Sequence, residues 1–294
     1  MLDIISQYNF WDGQITPTGF LRPIYIDTIQ KYYGSDLVKV LLGQRRVGKS
    51  YIMRMLISRL LKEHHVAAKN ILYLNMDLQP MSFIQDSVDL MHAITAYQEA
   101  LKPEGRIYIF IDEVQEIKDW EKVVNSLSQD YAQQYEVFIT GSNANLLSQE
   151  LGTYLSGRFV SFEIFPFSYG EYLDFHQLTR NKQTLLDYLY LGGLPENYRL
   201  NDDEMRENYT RSLRDSILLR DIVKRYQVRD ANLLGNLANF TEDSIGSLFS
   251  IHSIVKYLNS HRHKTNVETI GNYLNYLCAA YYIHSCERYD IKGR

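Results

Sequence analysis

Four short apolar runs punctuate the first 140 residues: LVKVLL at 37–42, NILYLNM at 70–76, RIYIFIDE at 106–113 and YEVFIT at 135–140. Runs of this length, rich in Val, Ile, Tyr and Phe, read as buried strands. The segments between them change period. From Ser50 to Glu63, residues Ile52, Met55, Leu56, Leu60 and Leu61 share one helical face, with basic residues elsewhere. Ser82 to Leu101 and Asp119 to about Tyr131 read as helices in the same way. Strands that alternate with helices predict a parallel sheet covered on both faces, with ligand at the C-terminal strand ends. The expected fold class is therefore α/β, a three-layer sandwich.

The flanks follow other rules. Residues 1–36 carry turn signals at Asp12-Gly13, Pro17, Gly19 and Pro23, then IYIDTIQKYY, a short helix expected to pack beside the sheet domain. Its aromatics either pack into the core or cover a base. Residues 181–229 are helical, interrupted at Gly192-Gly193 and Pro195, and residues 231–294 read helix, helix, turn, helix, strand, the order of a winged helix. The chain stops within the hairpin expected at Ile291–Arg294, so we expect the wing to be truncated. The expected division is a 1–35 extension, a 36–168 core, a 169–229 helical lid and a 230–294 winged-helix-like domain.

Chemistry first enters where the first strand ends. Gly43, four residues, then Gly48-Lys49-Ser50 is the spacing of a phosphate-binding loop, placed between a strand and a helix as that loop requires. Glycines allow the loop's N–H groups to turn onto one anion, and the helix N-terminus faces the same point. Lys49 would reach the β- and γ-phosphates, and the Ser50 hydroxyl would ligate Mg²⁺. The expected nucleotide-binding residues are Gly43, Gln44, Arg45, Arg46, Val47, Gly48, Lys49, Ser50 and Tyr51, joined by Ser142. This is a P-loop NTPase arrangement, with ATP and Mg²⁺ as the expected ligands.

The third strand ends in two carboxylates, Asp112 and Glu113. Beside a phosphate loop, the first is assigned to the metal with Ser50, and the second is the candidate general base that polarises the attacking water. At the fourth strand end, Thr140, Ser142 and Asn143 are candidates to sense or orient that water; Ser142 or Asn143 could instead cap the next helix. ATP hydrolysis coupled to a conformational change is the expected function. Two other classes share the loop: a P-loop phosphotransferase and an ATP-switched DNA-binding or regulatory module.

Charge weighs against the last of these. The formal charge of −4 gives no global attraction to nucleic acid. The helix from Val267, which would enter the major groove, offers Asn266, Glu268, Thr269 and Asn272 without Lys or Arg. Residues 206–229 form the one locally basic segment, partly paired as Glu207 with Arg211 and Asp221 with Arg225. DNA is thus possible but unsupported, and a protein partner or self-association is preferred. With no signal-peptide pattern, no membrane-length apolar run, and Cys278 and Cys286 expected as buried free thiols, a cytoplasmic protein is expected.

Seven stretches together resemble one family. GQRRVGKS at 43–50, IFIDEVQ at 109–115, FITGSNANLL at 138–147, LSGRF at 155–159, FPFSYGEYL at 165–173, GGLPE at 192–196 and LRDIVKRY at 219–226 are similar to the prokaryotic AAA-type predicted ATPases. The resemblance implies an ATPase core followed by a helical lid and a winged helix, with a nuclease-like domain beyond the last residue. It also implies Arg158 as a catalytic residue, sensing the γ-phosphate or acting as an arginine finger, in cis or in trans. A surface ion pair is the other role open to Arg158. Arg220 could reach nucleotide from the lid or from a neighbouring subunit.

Overall fold

The computed structural model describes residues 1–13, 17–143, 152–155, 157–261 and 263–286. They form two compact units, Met1–Arg199 and Leu200–Arg294.

In the first unit five parallel strands, β1 (Val38–Leu42), β2 (Ile71–Asn75), β3 (Ile107–Asp112), β4 (Tyr135–Gly141) and β5 (Phe159–Glu163), lie in the order β2-β3-β4-β1-β5. β1 is buried along its whole length because it has a neighbour on each side and helices above and below. Its one charged residue, Lys39, pairs across the sheet with Glu136 on β4 at 2.9 Å, and Arg106 meets the same carboxylate at 3.3 Å. Burial pushes the Lys39 ammonium down from its usual range, with Glu136 opposing.

Short helices α1 (Leu2–Ser6) and α2 (Pro23–Gln30) precede β1, and α3 (Lys49–Lys62), α4 (Ser87–Leu101) and α5 (Trp120–Gln129) connect the strands. α3 buries Ile52, Met53, Met55, Leu56, Ile57 and Leu60, at about 1.5–3 kcal/mol each for full burial. α4 begins at Ser87, five residues later than its apolar pattern suggests, because the Asp86 carboxylate caps it by accepting from the Val88 and Asp89 N–H groups. Tyr25, Tyr32 and Tyr33, the aromatics of the α2 region, pack against the core. Beyond a single turn, α6 (Gly152–Tyr154), and β5 come α7 (Tyr169–His176) and α8 (Lys182–Leu191). Phe20, Phe167, Phe175 and Tyr198 form one aromatic cluster, which draws segments from 1–35 and 169–199 into the same unit as the sheet.

The second unit holds α9 (Asp203–Ser216), which runs on as a π-helix over Ile217–Lys224, then α10 (Ala231–Asp243), α11 (Ile251–Ser260) and α12 (Val267–Ala279). α10, α11 and α12 lie where helices were expected in residues 231–294. Of the strand expected from Tyr282, the described part, 282–286, carries no regular structure, and the remainder lies outside the described residues. Against the expectation of burial, Cys278 is half-buried and Cys286 exposed, since the chain leaves the helical packing after Ala280. Among the described residues no helix is long and apolar enough to cross a membrane.

Candidate active site

All five strands end at one edge of the sheet, and the Gly43–Ser50 loop leaves β1 there. Gly43 is required sterically: a Cβ would stand 2.2 Å from the Ile164 carbonyl oxygen, at φ +147°. Gly48 turns the chain into α3 with φ +99°, a left-handed angle that glycine takes without penalty. Arg46 holds φ 68° and Glu113 φ 56°, both unusual for residues with a side chain. Such strain gathers at functional sites.

Register builds the rest. Ile111 pairs with Ile139, so Asp112 comes to lie beside Thr140. The Thr140 hydroxyl donates to Asp112 Oδ1 at 2.5 Å and accepts from the Glu113 N–H at 2.8 Å. Tyr73, from β2, donates to Asp112 Oδ2 at 2.9 Å, and the Ser50 hydroxyl at the start of α3 is also hydrogen-bonded to this carboxylate. Asp112 is fully buried. Burial raises its pKa, and the hydroxyls of Ser50 and Thr140 offset only part of that.

Glu113 behaves oppositely. Burial works against its charge, but the Lys49 ammonium, the Arg45 guanidinium and the Gln115 amide hold its carboxyl below the usual range. Lys49 Nζ lies 3.5 Å from Glu113 Oε1 and donates to the carbonyls of Gly43 and Gln44, each at 3.0 Å. Adjacent carboxyls whose environments push them apart are the mark of divided roles.

The structure thus brings together Gly43, Gln44, Arg45, Gly48, Lys49, Ser50, Asp112, Glu113 and Ser142. Val47 is buried and contributes its carbonyl to an anchor described below. Arg46 is exposed on the loop. Tyr51 points its ring away to Gly19 and under Arg54, whose guanidinium is 4.4 Å from the ring centroid. Asn143 is fully buried.

Arg158 is not brought to this site. Its carbonyl accepts from the Val38 N–H at 2.9 Å, and the next residue, Phe159, pairs with Val38. Arg158 therefore stands, exposed, at the N-terminal edge of the sheet. The five residues of β1 separate it from the loop by about 16 Å, at about 3.3 Å per residue. That is beyond the reach of an arginine side chain, so the cis form of its expected role does not hold. Arg220 belongs to the other compact unit.

Three participants escaped the sequence reading. Tyr73 sits on the neighbouring strand. Gln115, in the short turn Val114–Glu116, donates to Glu113 Oε2 and, at 3.4 Å, to Ser142 Oγ. Arg22, only 2% exposed, donates to the Val47 carbonyl at 3.0 Å, to the Phe165 carbonyl at 3.0 Å, and to both Glu171 oxygens at 2.6 and 3.0 Å. Glu171 in turn completes a capping box with Ser168 at the start of α7. Ser-x-x-Glu ahead of an apolar run is a readable signal for that cap. Nothing local links it to Arg22.

Comparison with known proteins agrees with this geometry. Residues 35–173 match the family described as AAA domain, and residues 182–294 match a domain of unknown function. An uncharacterized protein of Haemophilus influenzae is 35% identical over 280 residues, which are 93% of this chain and 68% of that protein. An uncharacterized protein of Methanocaldococcus jannaschii is 29% identical over 268 residues, 87% of this chain and 58% of its own length. The chain thus spans about two thirds or less of these curated relatives. Among solved structures, the Walker-type ATPase of Pyrococcus abyssi superposes with a TM-score of 0.56 at 15% identity, covering 89% of each chain, which speaks for the fold. The chain belongs to one family with the Haemophilus influenzae protein, and its residues 35–173 match the AAA domain family and carry the P-loop ATPase fold.

Proposed function

We propose that this chain binds Mg-ATP on the Gly43–Ser50 loop, hydrolyses it to ADP and phosphate, and uses hydrolysis to drive a conformational change between the core and the helices that follow. The observation that carries this reading is Glu113: a buried carboxylate kept charged by Lys49 and Arg45, next to a carboxylate shifted the other way. A phosphotransferase could use the same base, but it would also need a pocket for its acceptor beside the γ-phosphate, which water as acceptor does not.

Ser50 and Asp112 would hold Mg²⁺, and the donor set suits it. Both offer hard oxygen, they are already within hydrogen-bonding distance of each other, and Mg²⁺ takes few protein ligands beside phosphate and water. The metal's contribution when bound is neutralisation of charge on the phosphates. The chain's own residues do the rest. Loop N–H groups orient the phosphates, Lys49 supplies a fixed positive charge, and Thr140 fixes Asp112 and the Glu113 backbone together. Glu113 then accepts the proton of the attacking water.

Arg158, exposed at the far edge of the sheet, fits a role in a neighbouring copy's site, which makes self-association the preferred partnership. ATP turnover measured over a range of protein concentrations, with and without DNA, tests the reading. Turnover that needs Mg²⁺ and is indifferent to DNA is expected. A phosphorylated small molecule in place of inorganic phosphate would overturn it.

A further inference from the structure

An attacking water has two hydrogens. For its lone pair to face phosphorus, both hydrogens need acceptors, and a general base supplies only one. The site contains a second acceptor that no role above uses. The Gln115 amide NH₂ faces the base, donating to Glu113 Oε2 and to Ser142 Oγ. That fixes Gln115 Oε1 on the other corner of the same planar amide, beside the base. Among the described residues, this oxygen is buried and has no hydrogen-bond partner. Buried acceptors are rarely left so.

The other polar groups at this strand end are already engaged. Thr140 accepts from the Glu113 N–H and donates to Asp112, while Ser142 Oγ accepts from Gln115. The amide is therefore braced on two sides, by Glu113 and by Ser142, with its carbonyl oxygen unspent. The short turn Val114–Glu116, entered through the left-handed Glu113, is what swings Gln115 back over the base.

We propose that Gln115 is a catalytic residue that orients the lytic water: Oε1 accepts one water hydrogen while Glu113 accepts the other. The inference rests on the hydrolysis reading and deepens it. In the step, the water oxygen bonds to the γ-phosphorus as the bond from that phosphorus to the β–γ bridging oxygen breaks. The electron pair leaves with ADP, and the water proton passes to Glu113. Gln115 exchanges no proton; it sets direction.

The test uses the 294-residue chain with Gln115→Ala and the volume-keeping Gln115→Leu, alone and combined with Glu113→Gln. Turnover under saturating Mg-ATP, the Kd for a non-hydrolysable ATP analogue and the thermal midpoint are read together. Misplacing a reactant by about 1 Å costs about 100-fold, so a drop of that order in kcat is expected. The Kd should stay within about twofold and the midpoint unchanged in at least one of the two variants. The double variants should be no slower than Glu113→Gln alone, since both residues act on one water. Wild-type-like kcat in both single variants overturns the proposal, as does a loss of affinity matching the loss of rate. In both of those cases the hydrolysis reading survives if Glu113→Gln is inactive. Nucleotide binding without any wild-type turnover overturns both together.

Discussion

Removing Arg22 should loosen the phosphate loop from behind. Its guanidinium is almost fully buried and joins two segments distant in sequence, the loop through the Val47 carbonyl and the stretch after β5 through the Phe165 carbonyl and Glu171 at the start of α7. It also lies over the rings of Tyr25 and Phe167, at 4.5 and 4.9 Å from their centroids. Arg22→Ala leaves the Glu171 carboxylate, 14% exposed, without its partner. Breaking a buried pair from one side costs about 3–5 kcal/mol. A typical domain has only about 5–15 kcal/mol in total, so the loss is large. Both tryptophans, Trp11 and Trp120, belong to the first compact unit, and their fluorescence in urea follows that unit's unfolding. With a denaturant slope near about 2 kcal/mol per molar, the midpoint should fall by roughly 2 M. Nucleotide affinity should weaken as well, because the Val47 carbonyl is no longer fixed. A midpoint shift under about 0.3 M would refute the clamp.

The same pair carries a pH signature. Burial would raise the Glu171 carboxyl, but hydrogen bonds from Arg22 and Ser168 outweigh it and hold its pKa below the usual value. Its stabilisation is therefore complete above the unfolded pKa of about 4.3 and is lost as pH falls through the folded value. Glu171→Gln should show a shallower acid loss of stability in the same urea titration; an identical acid limb would contradict the assignment. Gly43→Ala forces a Cβ to within 2.2 Å of the Ile164 carbonyl oxygen, so backbone must move, and ATP-analogue binding should fall at least tenfold; unchanged binding would rule out that contact as the reason for glycine. If Arg158 serves a neighbouring copy, specific ATPase activity should rise with protein concentration, and Arg158→Ala should abolish the rise while sparing nucleotide affinity. Activity independent of concentration in the wild type would exclude the trans role.

Strand positions and the phosphate loop were legible because each rests on local information: apolar runs, their bounding turns and a fixed spacing. Asp112 and Glu113 were legible for the same reason, as the polar end of one such run. Arg22 was not, since its partner Glu171 is 149 residues away and neither lies in a charged pattern. Lys39 sat inside an apolar run and met Glu136 only through strand order. Arg158 shows a subtler limit. Its place before an apolar strand was readable, but whether that end faces the loop depends on the strand running parallel to β1. Gln115 stood within a stretch that had been noticed, yet its orientation depends on a left-handed Glu113 that composition does not announce.

The measurement that bears most directly on the proposed function is phosphate release by Glu113→Gln, read beside its affinity for Mg-ATP. The substitution keeps the shape of the side chain and removes its charge, and with it the capacity to take a proton. Affinity should persist, while phosphate release falls by about 100-fold or more. Turnover at the wild-type rate would mean that another group activates the water, and the account of this site would fail.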